Sequence, residues 1–140
     1  MAKKKIGNTL YEGELLNDEP HGKGKWVFEN GVVYEGDFVN GMMHGKGKMT
    51  TSKGGVYEGA FVDGSPTGKG KLTAPDGISY YEGDFKDGSP HGKGKEITDD
   101  GKVQEGYYYK GGYVGENEKD METAAAKVKE EIDDDDFSLD

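Results

Sequence analysis

The chain has 140 residues, 25 of them Gly and none Cys, with 31% apolar and 33% charged positions and a formal net charge of −10. So little apolar material argues against one thick globular core, and the lack of Cys excludes a disulfide framework, a thiol nucleophile and a Cys-ligated zinc, which fits a reducing compartment. The acidity is local: 15 Lys stand against 17 Asp or Glu through residue 115, and 3 Lys against 11 acids after it.

The start, Met1 to Gly7, holds Lys3, Lys4 and Lys5 with no apolar run behind them, which is not a secretory signal. No stretch approaches the roughly 18 apolar residues of a membrane-spanning helix. A soluble cytoplasmic protein is therefore expected. Residues 1–10 read as an N-terminal edge or cap, with lysines in place of an apolar strand to blunt a sheet edge; a basic binding or targeting patch is the alternative.

From Tyr11 one phrase recurs, clearest at Tyr34-Glu35-Gly36-Asp37-Phe38-Val39-Asn40-Gly41-Met42-Met43-His44-Gly45-Lys46-Gly47-Lys48. Copies span 11–33, 34–56, 57–80 and 81–103, the third with one extra residue, and a partial copy spans 104–115 with Gln104 in place of Tyr. Aromatic residues at fixed intervals outweigh the disorder that composition alone suggests. A period of 23 residues marks a supersecondary unit that stacks on its neighbours.

Within each copy two segments alternate with the period of a strand, separated by turn residues, so each copy reads as a β-hairpin. Counting the Tyr as position 1, the alternation predicts position 1 opposite 16, position 3 opposite 14 and position 5 opposite 12. That sets Tyr11 beside Trp26, Tyr34 beside Met49 and Tyr57 beside Leu72 on one face. On the other it sets Glu12 by Lys25, Glu14 by Lys23, Glu35 by Lys48 and Asp37 by Lys46, leaving Lys69 opposite Ala60 without a carboxylate. The expected fold is all-β: an elongated, twisted, single-layer antiparallel sheet of about five stacked hairpins, closed by a short C-terminal helix over 116–132. Asn117 is its expected N-cap, and Met121, Ala125, Val128 and Ile132 share a face. Residues 133–140 form an acidic tail, and Phe137 and Leu139 within it are a candidate docking motif.

The phrase Tyr-Glu-Gly-Asp-Phe-x-Asp/Asn-Gly-x-x-His-Gly-x-Gly, recurring in phase over about residues 9–115, resembles the MORN repeat (membrane occupation and recognition nexus). Leu15 for Phe, Thr67 for His and the loss of Tyr and His in the fifth copy depart from it. The resemblance implies a sheet built of hairpins and a binding or scaffolding platform, with a cytoskeletal or ciliary setting suggested by other proteins that carry such repeats.

The residues themselves offer no catalytic constellation. His21, His44 and His91 hold one repeat position and are spread along the array. Gly41 to Lys46 has one residue too few between its glycines for a phosphate loop, and Gly47 stands where Ser or Thr would hold magnesium. Asp99-Asp100 and Asp133 to Asp136 lack the ligand spacing of a calcium loop. No enzyme activity, cofactor or metal site is expected. The leading expectation is a scaffold or adaptor that binds a protein partner, a helix or an extended peptide, through Tyr34, Phe38, Tyr57, Phe61, Tyr81 and Phe85. The alternative reading of those rings is that they stack on one another and hold the sheet. Anionic phospholipid binding through the repeat lysines is the second expectation, and self-association through sheet edges the third. The acidic tail and the neutralised lysines argue against nucleic acid.

Overall fold

In the computed structural model, which describes residues 2–126, eleven antiparallel strands lie side by side in chain order in one open sheet. They are β1 (Ala2–Ile6), β2 (Thr9–Leu16), β3 (Glu19–Val27), β4 (Val33–Val39), β5 (Met42–Thr50), β6 (Val56–Val62), β7 (Ser65–Thr73), β8 (Tyr80–Lys86), β9 (Ser89–Ile97), β10 (Val103–Tyr109) and β11 (Gly112–Gly115). A short helix, α1, covers 118–126. Asn117 precedes it, but the cap works in reverse: the Asn117 N–H donates to the Asp120 carboxylate at 3.1 Å. The expected continuation to 132, with Val128 and Ile132, and the tail at 133–140 lie outside the described residues.

The lysines near the start form a strand of their own, β1, at the sheet edge. Lys4 faces Tyr11, the place an apolar residue holds in later repeats, and its ammonium bonds the Asp18 carbonyl at 2.6 Å and carboxylate at 2.7 Å.

The register matches the sequence over the first half of each hairpin. Tyr11 faces Trp26, Glu12 faces Lys25 and Gly13 faces Gly24, and the same pairs recur as Tyr34–Met49, Glu35–Lys48 and Tyr57–Leu72. Past the glycine pair it departs: position 5 meets position 10, not 12, as Leu15–Pro20, Phe38–Met43, Phe61–Pro66 and Phe85–Pro90. The cause is the turn. Asn40 (φ 50°) and Gly41 (φ 84°) both take left-handed backbone, the two-residue geometry whose twist suits a hairpin, and this fixes Val39 against Met42. Counting back from that pair misses the glycine pair by two residues, and a bulge absorbs the difference. Position 12 pairs instead with position 5 of the following repeat, as Gly22–Phe38, Gly45–Phe61, Gly68–Phe85 and Gly92–Tyr108.

A bulge frees backbone polar groups, and buried ones need partners. The carbonyl of position 4 accepts from the phenol of its own repeat at 2.6–2.8 Å: Tyr11 to Glu14, Tyr34 to Asp37, Tyr57 to Ala60 and Tyr81 to Asp84. To reach it each Tyr ring lies flat across the glycine pair, so a Cβ on Gly70 would stand 2.5 Å from the Tyr57 hydroxyl. Burial pushes the Tyr57 phenol up to about 12.

Each position-5 ring then stands edge-on between two tyrosines. Phe38 meets Tyr11 and Tyr34 at 5.1 and 5.0 Å, Phe61 meets Tyr34 and Tyr57 at 4.9 and 5.1 Å, and Phe85 meets Tyr57 and Tyr81 at 4.9 and 5.1 Å. In the partial copy Tyr108 takes the Phe place, 4.8 Å from Tyr81, and Tyr113 supplies the ring that Gln104 lacks, 5.4 Å from Tyr108. The ladder is the core, and each rung joins two repeats. Edge-to-face pairs contribute about 0.5–1.5 kcal/mol each beyond the area they bury.

The extra residue of the third repeat is taken up in the β7–β8 turn. There Ala74 bonds Ser79, and the Asp76 carboxylate accepts from the Ile78 and Ser79 N–H groups and the Ser79 hydroxyl.

Candidate functional site

Tyr34, Phe38, Tyr57, Phe61, Tyr81 and Phe85 come together as expected, but at 0–4% exposure. This corrects the expected groove. Each ring spends its faces and edges on the glycine pair and on neighbouring rings, leaving almost no surface for a partner. The six are the core, together with Met43 and with Tyr11 and Tyr108, which fill the same roles as the rings at the two ends. Tyr108 was legible only by counting five residues from Gln104 despite the missing Tyr.

What the aromatic face does present is set by position 16, which lies beside the tyrosines and changes along the array: Trp26, Met49, Leu72, Glu96. At the start Trp26 stacks on Phe28 at 5.2 Å and leans on Phe38 at 5.6 Å, covering the ladder. Leu72 is shorter and 37% exposed. Around it opens a groove of about 420 Å³ lined by Leu72, Pro75, Tyr81 and Pro90, with Lys53 as its ammonium and Glu96 as its carboxylate. On the other face of the sheet the Lys71 ammonium lies 4.3 Å over the Tyr80 ring. Glu96 adds to burial, the larger cause, in pushing the Tyr108 phenol up to about 12. A charged residue in an otherwise apolar column was the sequence signal for this place.

The opposite face carries a row of alternating charge across ten strands: Lys3, Glu12, Lys25, Glu35, Lys48, Glu58, Lys71, Glu82, Lys95 and Glu105, each facing the next. Such pairs contribute roughly 0.2–1 kcal/mol each and chiefly fix register. Beside the row the pairing expected of Lys69 is reversed. The bulge aims the position-4 carboxylate at the lysine ammonium of the preceding repeat, so Asp37 pairs with Lys23 and Asp84 with Lys69. The hydrogen bond from Lys23, first among several causes, holds the Asp37 carboxyl below its usual range. Lys46 now faces Ala60, and Lys93 faces Tyr107.

The histidines bind the turns of adjacent repeats. The Nδ1 atoms of His21, His44 and His91 accept from the N–H groups of Asn40, Asp63 and Lys110 at 3.4, 3.3 and 3.2 Å, and Thr67 does the same for Asp87 with its hydroxyl at 3.2 Å. The next turn residue adds a bond from Gly41, Gly64, Gly88 or Gly111 to the carbonyl of position 10 of the preceding repeat. Among the described residues no three His, Asp or Glu side chains gather as metal ligands, and no helix is long and apolar enough to cross a membrane.

Burial first, then Lys86 and Lys110, holds the His91 imidazole below its ordinary 6.5. A folded value below the unfolded one means the neutral ring's contact persists below pH 6.5 and is lost as pH falls through the lowered value. The protection factor of the Lys110 amide, measured by hydrogen exchange and corrected for intrinsic rate, should hold at about pH 6.5 and fall as pH drops through the lowered value. That of Asp87, held by Thr67, should stay flat; parallel falls would contradict the assignment.

A family model described as MORN repeat matches residues 11–33, 34–56, 57–79 and 81–103. No curated protein matches the chain.

Proposed function

The chain belongs to the MORN-repeat family, whose repeats are in general protein- or membrane-lipid-interaction modules, and on that premise we propose that it is a non-catalytic adaptor holding a protein partner. The contact is the groove over Leu72, Pro75, Tyr81 and Pro90, and the partner is a helix or extended peptide that places an apolar side chain against Leu72 and a basic one against Glu96. The observation that carries this reading is the grading of position 16, from the stacked Trp26 to the shorter, exposed Leu72, beside which the groove opens. Exposed apolar surface beside two charges of opposite sign, Glu96 and Lys53, suits a selective protein contact. The alternating row on the other face, in which every lysine but the edge Lys3 lies between two glutamates, gives little net attraction to an anionic membrane. A cytoskeletal or ciliary assembly is the setting proposed for such an adaptor.

Capture of binding proteins by immobilised chain tests the reading when Leu72→Glu and Lys48→Gln are compared with the unaltered sequence. Leu72→Glu should lower recovery of the captured protein tenfold or more, about 1.4 kcal/mol, and Lys48→Gln should leave it unchanged. Sedimentation with phosphatidylserine vesicles is the second arm. Strong, salt-sensitive vesicle binding that Leu72→Glu leaves intact would overturn the adaptor in favour of a lipid module.

A further inference from the structure

The bulge carries a repeated receptor for a carboxylate. In the second repeat the Asp37 carboxylate takes two donors, the Lys46 backbone N–H at 3.2 Å and the Lys23 ammonium of the preceding repeat. In the fourth repeat Asp84 takes the equivalent pair, the Lys93 N–H at 3.2 Å and the Lys69 ammonium. The first repeat forms the backbone half with Glu14, whose carboxylate accepts from the Lys23 N–H at 2.6 Å. Three carboxylates in three registers thus answer the same backbone donor.

The third repeat keeps the frame and changes the acceptor. Ala60 stands where Asp37 and Asp84 stand, its carbonyl bonded by the Tyr57 phenol at 2.6 Å as in the other copies. The glycine pair Gly59–Gly70 and the bulge after it are also retained. Lys46 faces Ala60 across β5 and β6 as Lys23 faces Asp37 across β3 and β4. The methyl of Ala60 offers no acceptor to the Lys69 N–H or to the Lys46 ammonium. A depression of about 490 Å³ lies there, lined by Lys46, Ala60 and Lys69 together with Glu58 and Glu82. Those two acids are in turn flanked by Lys48, Lys71 and Lys95 in the alternating row, so they do not leave the depression net acidic.

We infer that Lys46, Ala60 and Lys69 form a binding site for an external carboxylate, the side chain of an Asp or Glu on a bound protein, which completes in trans the contact that Asp37 and Asp84 make within the chain. A flat two-oxygen acceptor fits because the same frame already holds one twice, with one oxygen on a backbone N–H and the other on an ammonium. Charge-assisted bonds of this kind are about twice as strong as neutral ones. The site is on the face opposite the groove and is tested on the chain alone, so its failure and the failure of the adaptor reading are distinguishable.

The test is an amide NMR titration of the full chain with sodium acetate, with chloride replaced to keep ionic strength constant. The Lys69 amide proton should move downfield and saturate, while the Lys46 and Lys93 amides, which already donate to Asp37 and Asp84, stay still. Ala60→Asp should carry the Lys69 amide toward its saturated position without acetate and weaken acetate binding at least tenfold. Lys46→Gln, at an exposed position, should weaken it several-fold with the fold unchanged. A Lys69 amide that responds no more than Lys93 overturns the site. Tighter binding of inorganic phosphate than of acetate overturns the carboxylate assignment and points to a phosphate-bearing ligand such as a lipid headgroup.

Discussion

Phe61→Ala is expected to destabilise the protein by about 3–5 kcal/mol, the usual cost of deleting a fully buried ring. Phe61 is 1% exposed and touches Tyr34 of one repeat and Tyr57 of the next. The loss therefore falls on an interface between repeats as well as on a repeat. In an array held by nearest-neighbour contacts, a central lesion of that kind uncouples the two halves. Thermal unfolding followed by circular dichroism should broaden or split, and amide protection should fall on both β5 and β6. Leu15→Ala, at the terminal repeat where the ring is replaced by a smaller side chain, should cost less, about 2–3 kcal/mol, and leave the rest of the transition intact. A single sharp transition with a loss under 1 kcal/mol for Phe61→Ala would show that the ladder is not the core.

Gly59→Ala should be comparably severe for a different reason. A Cβ there would lie 2.5 Å from the Gly70 Cα and 2.5 Å from the Lys69 carbonyl oxygen, both backbone, at a φ of 155°. Neither atom can rotate away. Strain of roughly 1–3 kcal/mol and overpacking of roughly 1–3 kcal/mol combine, and relief requires parting β6 from β7. Gly64→Ala is the matched control: its φ is 89° but nothing lies within 4 Å of its Cβ, so only the left-handed backbone preference is lost, about 1–2 kcal/mol. Chemical denaturation of the two variants should separate them by about 1 kcal/mol or more. Equal losses would mean that the close glycine pair is not what holds the Tyr ring flat.

Much of this architecture was legible because side-chain alternation and residue type agree. Tyr11 against Trp26 and Glu12 against Lys25 followed from requiring both faces to make sense, since a one-residue slip exposes the rings and buries the charges. The bulge escaped the same reasoning because alternation assumes an unbroken ladder. The sequence nevertheless holds two constraints that disagree: Asn40-Gly41 demands a two-residue turn, and Gly36 demands Gly47 as the only partner that leaves room for Tyr34. They differ by two residues, and reading them together predicts the bulge. From the bulge follow the phenol on the position-4 carbonyl, the carboxylate on the lysine N–H and the transfer of the Asp37 ion pair from Lys46 to Lys23.

The candidate site was less legible. The conspicuous aromatic residues are the ones most needed inside, because a single sheet with glycine channels can sink rings into itself until 0–4% of their surface remains. The residues around them differ from copy to copy. Trp26, Met49, Leu72 and Glu96 break the repeat at one position, and Ala60 breaks it at another. Averaging the copies to define the phrase hides both. Thr67 shows that a departure can be neutral, since its hydroxyl caps the Asp87 N–H where His21 caps Asn40. Departures that alter size or charge, as at Leu72, Glu96 and Ala60, are the ones that change the surface.

Photo-cross-linking from single positions tests the adaptor assignment most directly. A benzophenone side chain is placed in turn at Leu72 and Pro75 in the groove and at Lys48 in the alternating row, and each labelled chain is irradiated with captured partner. Cross-links concentrated at positions 72 and 75, and lost when Glu96→Lys is added, are the predicted result. Cross-linking that is as strong from position 48, or that survives Glu96→Lys unchanged, would contradict it.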